Sequence, residues 1–436
     1  MTHDGAFANR ALAAALERAP QLSPPERGLA TELVYGVLRR RARLDRALDA
    51  VATHGLSVPD DVRNVLRVGA YQLLFLDRVP AYAAVDDAVE TMKREHGARL
   101  GGLANALLRR VAERGEPPLP DPTRDPRAHL VDACGFPVWM AELCLRELGA
   151  ARAVALGTAS GEVPPLALRA NRLGGVTRQA LLDALAAERP GATLTPSPVA
   201  PDALLARGLD APATTAAFAA GAFAIEDVGA QVVAELCGAA PGERVLDACA
   251  GLGGKTAHLA ALSGNAAAID ALDLSAAKLR QAEEQWARLG AQGITVRAAD
   301  LTKDFPAGTA PYQRVLLDAP CSGLGVLRRH PEVLLRRTEA DVTLLAATQR
   351  RMLDVVAPLV AAGGVLVYAV CTFDRAEGED VVASFLAAHP EFSPAPPPAT
   401  AVDWSRLTAG APHLIRLWPD RDDADAFFAA RLHRHP

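Results

Sequence analysis

The chain has no apolar run approaching the ~20 residues that cross a bilayer as a helix. Its start, MTHDGAFANRALAAALERAP, carries charged and polar side chains where a signal peptide would carry an apolar stretch. Together these absences set the expectation of a cytoplasmic protein with no membrane partner. Cysteine is sparse, and the six present, Cys134, Cys144, Cys237, Cys249, Cys321 and Cys371, include no C-x-x-C pair. Zinc spacing is therefore missing, and a cytoplasmic chain keeps its thiols reduced, so neither a metal nor a disulfide is expected. What remains is a set of free thiols, some of them available for chemistry. Lysine is scarce where arginine is plentiful, which reads as coding bias. A basic excess is also lacking: the net charge is -5, whereas dedicated nucleic-acid binders are usually basic. Such a partner would have to be met on local patches. Arg39, Arg40, Arg41, Arg43 and Arg46 form one, although a run of this kind is as readily a solvated helix face.

With 436 residues, 50% hydrophobic and 22% charged, the chain is an ordinary globular sequence too long for one core. Residues 1–118 read as an all-α bundle. Ser23-Pro24-Pro25-Glu26 is a helix start with an N-cap, a proline at the first helical position and a capping-box glutamate. Leu29, Leu33, Val34, Val37 and Leu38 follow at helical spacing. A second apolar face runs through Val62, Val65, Leu66, Leu73 and Leu74, and residues 83–92 and 103–111 supply two more helices. The proline-rich stretch 116–120 marks a linker. Residues 119–215 form a small α+β domain, with a strand over 164–171, a helix over Arg178–Glu188 and a loop within 195–215. From 216 to 436, short apolar strands at 244–248, 266–272, Ile294–Ala298, 314–317 and 365–370 alternate with helices such as Ala276–Leu289 and 344–361. That alternation predicts an α/β, Rossmann-like sheet whose ligands sit beyond the carboxyl ends of the strands.

Those strand ends carry the chemistry. The first runs into Asp247-Ala248-Cys249-Ala250-Gly251-Leu252-Gly253-Gly254-Lys255-Thr256. A phosphate loop would need glycine at Cys249, and a dinucleotide fingerprint would need glycine at Thr256. A loop for S-adenosylmethionine tolerates both departures because it holds no pyrophosphate. The second strand ends near Asp273, placed to accept from ribose hydroxyls, although Asp273 or Ser275 could instead cap the next helix. Asp300 follows the third strand and could meet an adenine edge. The fourth ends Asp318-Ala319-Pro320-Cys321-Ser322-Gly323 and the fifth ends Tyr368-Ala369-Val370-Cys371-Thr372. Two thiols at the ends of adjacent strands would converge over the crevice. The residues alone do not say which one attacks.

The run DAPCSG at 318–323, continuing to Arg328-Arg329-His330-Pro331, is highly specific. With the loop at 249–255, Glu377, Glu379 and the 425–428 terminus, it resembles the RNA cytosine-5 methyltransferases of the Fmu/Sun (NOL/NOP/sun) family. Within that family the chain is most similar to bacterial small-subunit rRNA enzymes with a NusB-like N-terminal domain. The chain departs from the family at Gly251-Leu252, Tyr312-Gln313, Val370 and Gly378, and no thiol or carboxylate is lost. The resemblance implies an enzyme that uses S-adenosylmethionine to methylate C5 of a cytosine in small-subunit rRNA, and a monomer is expected. It implies Cys371 as nucleophile, with Cys321 assisting product release and Asp318 beside the base. It further implies residues 249–255, Asp273, Asp300 and Asp318 around the cofactor. Arg39, Arg40, Arg43, Arg328 and Arg329 are the candidate RNA contacts.

Overall fold

The computed structural model describes residues 7–53, 55–303 and 311–436. Residues 1–6, which open the stretch compared with a signal peptide, lie outside the described set. No helix among the described residues is long and apolar enough to cross a membrane. The chain forms two compact units, Met1–Val163 with Leu327–Arg337, and Pro164–Val326 with Thr338–Pro436.

The first unit is helical, with Ala8–Glu17, Pro24–Val51, Asp60–Phe75, Ala81–His96, Ala98–Arg114, Pro126–Asp132 and Val138–Ser160. Pro24 opens the longest of these helices. The Glu26 carboxylate accepts from the Ser23 N–H and hydroxyl, each at 2.7 Å, satisfying donors that a helix start leaves free. Leu44, Leu48, Leu66, Met92 and Leu108 are fully buried in the shared core.

The second unit holds two sheets. The smaller consists of β1 (Leu166–Ala170), β2 (Thr193–Pro196), β3 (Ala203–Arg207) and β4 (Phe223–Ile225), all antiparallel in the order β2-β3-β1-β4. The stretch 195–215 contains loop segments at 197–202 and 208–211, and β3 runs between them. Leu204 and Ala206 pack toward the Arg178–Glu188 helix, and Ala203 and Leu205 join the opposite, larger core. A strand buried on both faces shows no polar alternation, so its period was invisible. Residues 119–163 group with the helical unit and 164–215 with the sheets.

The larger sheet contains β5 (Arg244–Asp247), β6 (Ala268–Asp273), β7 (Ile294–Ala298), β8 (Tyr312–Asp318), β9 (Val360–Val370), β10 (Phe392–Pro394), β11 (Thr408–Ala409), β12 (Ala411–Leu417) and β13 (Phe427–Arg434). Its order is β11-β12-β13-β9-β8-β5-β6-β7, with β10 also on β13. Strands β5 to β9 are parallel, and β13 returns antiparallel against β9. This is a Rossmann-like sheet. Connections run in opposite directions from β5, to β6 on one side and toward β8 on the other, which opens a crevice at the strand ends. The helix expected over 344–361 spans Glu339–Val356 instead. Thr338 donates its N–H and hydroxyl to Asp341 at 2.8 and 2.9 Å, which fixes the earlier start. Pro358 lies just beyond the end.

Candidate active site

A cavity of about 330 Å³ opens at the ends of β5 to β8, walled by Ala248, Cys249, Gly251, Asp273, Asp300 and Asp318 among others. Asp273 organises its rim. One carboxylate oxygen accepts the Gly251 N–H at 3.0 Å and the other accepts the Ser275 N–H at 2.8 Å, while Ser275 caps the next helix. A carboxylate offers about four lone-pair positions, so acceptor capacity remains for ribose hydroxyls. Leu301, Pro320 and Met352 add an apolar wall suited to a flat base. Asp300 accepts from the Thr302 N–H and hydroxyl at 3.0 and 2.6 Å. The donor, acceptor and apolar groups present fit an adenosyl ligand.

The rest of the glycine loop does other work. Ala250 is buried, and Leu252, Gly253 and Gly254 line a separate hollow of about 530 Å³ with Phe218, Ile225 and Arg288. Gly253 has φ +77°, and a Cβ there would stand 2.4 Å from Trp286 Nε1. That indole donates to the Gly253 carbonyl at 2.8 Å. The glycine is thus required by packing against the following helix. Lys255 extends to Asp318, with Nζ 2.5 Å from Oδ2. Burial works against its charge, but the adjoining Asp318 carboxylate outweighs that and holds the ammonium more firmly than in an ordinary lysine. Beneath it, burial pushes Asp247 up to about 6, partly offset by a 2.7 Å hydrogen bond from Thr256 and by Lys255.

Cys321 and Cys371 meet, with their sulfurs 3.2 Å apart across 50 residues of sequence. Cys371 sits well above an ordinary thiol because of its hydrogen bond with Cys321 and its burial. Asp318 adds to this and Lys255 opposes it. Cys249, at the cavity wall, is raised by burial and the surrounding carboxylates. Backbone bonds hold the Cys371 strand end in place. Gly325 donates to the Cys371 carbonyl at 3.0 Å and accepts from Ala426 at 2.9 Å. A Cβ on Gly325 would lie 1.9 Å from the Ala426 oxygen. Arg416, buried over the Phe428 ring, pairs with Glu379 at 2.6 Å and donates to the Thr372 carbonyl at 3.2 Å.

A buried polar cluster supports the Pro-Cys loop. Glu377 accepts from the Ser322 N–H at 2.9 Å, bonds the Ser322 hydroxyl, and is held above the usual carboxylate range by burial. Gln349 bonds both Glu377 and the Pro320 carbonyl. Sequence reasoning missed Gln349 and the Tyr368 hydroxyl. The available signal was a lone glutamine on the buried stripe Val342, Ala346, Gln349, Met352, Val356.

The arginines are less open than expected. In the helical unit Arg39 Nε donates to the Arg328 carbonyl at 3.2 Å and its guanidinium lies over Tyr35. Arg40 and Arg43 lie over Phe75, and Arg43 makes a two-pronged pair with Glu116. The Arg328 side chain is 4% exposed, and Arg329 is half-buried.

Residues 236–433 match the family described as 16S rRNA methyltransferase RsmB/F, and residues 1–113 match the NusB family. The probable ribosomal RNA small subunit methyltransferase B of Synechocystis sp. is 34% identical over 433 residues, covering 98% of this chain and 95% of that protein. The ribosomal RNA small subunit methyltransferase B of Thermus thermophilus is 36% identical over 425 residues, covering 96% and 92%. Among solved structures, PH0851 superposes with a TM-score of 0.80 at 23% identity, covering 97% of this chain and 93% of that one. NSun6 from Pyrococcus horikoshii, solved with SFG, gives 0.60 at 21% identity, covering 68% and 97%. At such identities the two structures speak for the fold.

Proposed function

The chain belongs to the RsmB/F family of 16S rRNA methyltransferases, and we propose that it methylates C5 of a cytosine in small-subunit rRNA through a covalent cysteine adduct. Its donor, S-adenosylmethionine, supplies the methyl group as a sulfonium electrophile when bound. The backbone of residues 248–251, Asp273 and Asp300 would hold it.

Cytosine C5 is a weak nucleophile, and addition of a thiolate at C6 makes it enamine-like. In this reading the Cys371 thiolate forms a bond to C6, and the π electrons move to C5, which would take the methyl group as the sulfonium S–CH3 bond breaks and its pair returns to sulfur, leaving S-adenosylhomocysteine. The C5 proton then leaves, its bonding pair restores the double bond, and the C6–S bond breaks to regenerate the thiolate. Cys321 assists that release. Lys255, the cation beside the pair, favours a thiolate at Cys371, and Asp318 hydrogen-bonds N3 or the exocyclic amine as charge develops. The cytosine must be unpaired or flipped out to be reached. We assign RNA docking to the NusB-family domain, and the work to the cytoplasm as a monomer.

The observation that carries this reading is the 3.2 Å approach of two thiols beside Lys255 and Asp318. The test incubates the protein with methyl-labelled S-adenosylmethionine and unmodified rRNA, maps the product by bisulfite sequencing, and compares Cys371→Ala and Cys321→Ala. Label at one cytosine, lost in Cys371→Ala and accompanied by a trapped adduct in Cys321→Ala, is expected. Transfer that survives Cys371→Ala would overturn the assignment.

A further inference from the structure

Gln349 is fully buried on the Glu339–Val356 helix, and its amide hydrogen-bonds on both sides. Nε2 donates to the Pro320 carbonyl at 3.0 Å and to Glu377 Oε1 at 2.8 Å. Oε1 lies 3.0 Å from the Tyr368 hydroxyl, which also stands 2.6 Å from the Glu377 carbonyl and donates to one or the other. The Pro320 carbonyl belongs to the peptide unit entering Cys321. Glu377 grips the unit leaving it, through the Ser322 N–H at 2.9 Å. Both amide planes flanking the Cys321 thiol are therefore tied to one buried point, and Gln349 is the side chain that joins them. Cys371 is held differently, by its own strand and by Gly325.

We propose that Gln349 is a positioning residue for Cys321, setting that thiol for release of the adduct and not for attack on the base. This deepens the two-thiol reading above and rests on it. Glutamine suits the place because an amide turns two donors toward two acceptors and one acceptor toward a hydroxyl. Glutamate would set a carboxylate against the Pro320 carbonyl and Glu377. Leucine would fill the volume but take the Gln349 donor from the buried Pro320 carbonyl, while Glu377 keeps its bonds to Ser322, freeing the Pro320–Cys321 peptide to shift.

The experiment follows single-turnover transfer in the full-length chain with labelled S-adenosylmethionine and unmodified rRNA, and scores RNA–protein adduct on denaturing gels. Gln349→Leu and Tyr368→Phe are compared with wild type and Cys321→Ala. A displacement of about 1 Å at a reacting group can cost about a hundredfold. Gln349→Leu is therefore expected to form adduct at close to the wild-type rate and to resolve it about a hundredfold more slowly, accumulating adduct as Cys321→Ala does. Tyr368→Phe keeps both Nε2 bonds and should slow release by less, about tenfold; it carries the decision if Gln349→Leu does not fold. A general loss of stability would lower adduct and product together. Folded variants that lose activity without adduct, or that release at the wild-type rate, would overturn the proposal. Absence of adduct in Cys321→Ala itself would show that the two-thiol reading has failed, and the proposal with it.

Discussion

Replacing Arg169 by methionine should unsettle the floor of the glycine loop. Arg169 Nε meets Glu226 Oε2 at 2.6 Å, and the two side chains are 1% and 3% exposed. Arg169 lies on β1. Glu226 follows β4 and reaches the helix after the glycine loop, where a Cβ on Gly254 would stand 3.4 Å from Glu226 Oε1. The substitution leaves a buried carboxylate whose nearest basic group is His258, with Nδ1 3.9 Å away. Burial is the largest cause holding that imidazole below its ordinary pKa, and with Arg172 it remains when Arg169 is gone, so His258 is a poor replacement for the guanidinium. Removing one partner of a buried pair costs about 3–5 kcal/mol because the other charge is stranded. For a unit of this size that corresponds to a fall in melting temperature of roughly 6–20 °C, at about 2–4 °C per kcal/mol. Because the pair underlies the loop, affinity for S-adenosylmethionine should fall as well. The double variant Arg169→Met/Glu226→Gln strands no charge and should recover most of the loss. Scanning calorimetry with ligand titration measures both effects. An Arg169→Met protein melting within about 1 kcal/mol of wild type, or a double variant no better than the single, would refute the reasoning.

Asp247→Asn should be more stable than wild type near pH 7. A folded-state value of about 6 against the ordinary aspartate value of 3.8 means that the folded state binds the extra proton. That stabilisation is complete below pH 3.8 and is lost as pH rises through 6, a difference of about 3 kcal/mol. Urea unfolding of wild type and variant from pH 4 to 8 should show the gap widening up to about pH 6 and then levelling. His258 acts in the opposite direction. Its depressed folded value makes stability fall as pH drops below 6.5, by up to about 1.4 kcal/mol per pH unit, and His258→Leu should remove that slope. Lys255→Met removes the cation that opposes the rise at Cys371, so its single-turnover rate profile should move to higher pH. Each unit of movement costs about tenfold below the inflection; an unmoved profile would exclude the role. Gly253→Ala, at φ +77° and 2.4 Å from Trp286, should lower both the melting temperature and S-adenosylmethionine affinity, whereas Gly264→Ala, with no neighbour within 4 Å, should affect stability alone through its positive φ.

The sequence by itself determined the elements whose signals are local. The Ser23–Glu26 start, the Arg178–Glu188 and Ala276–Leu289 helices, and the strands that end at Asp273, Asp318 and just before Cys371 are written in caps, periods and short apolar runs. It also placed two thiols and three carboxylates at strand ends, and the β-strand order then put those residues around one crevice. Tertiary structure decided what local pattern does not encode. Strand β3 became a strand because both its faces found cores. Arg328 was withdrawn from the surface, and Gly253 was fixed by Trp286. The 3.2 Å meeting of Cys321 with Cys371 depends on β8 and β9 being neighbours in the sheet, and Gln349 reads as a core position until the Pro320 carbonyl and Glu377 arrive beside it. Helix and strand periods are properties of neighbouring residues, whereas a distance across 50 residues is set by how the whole sheet is ordered and packed.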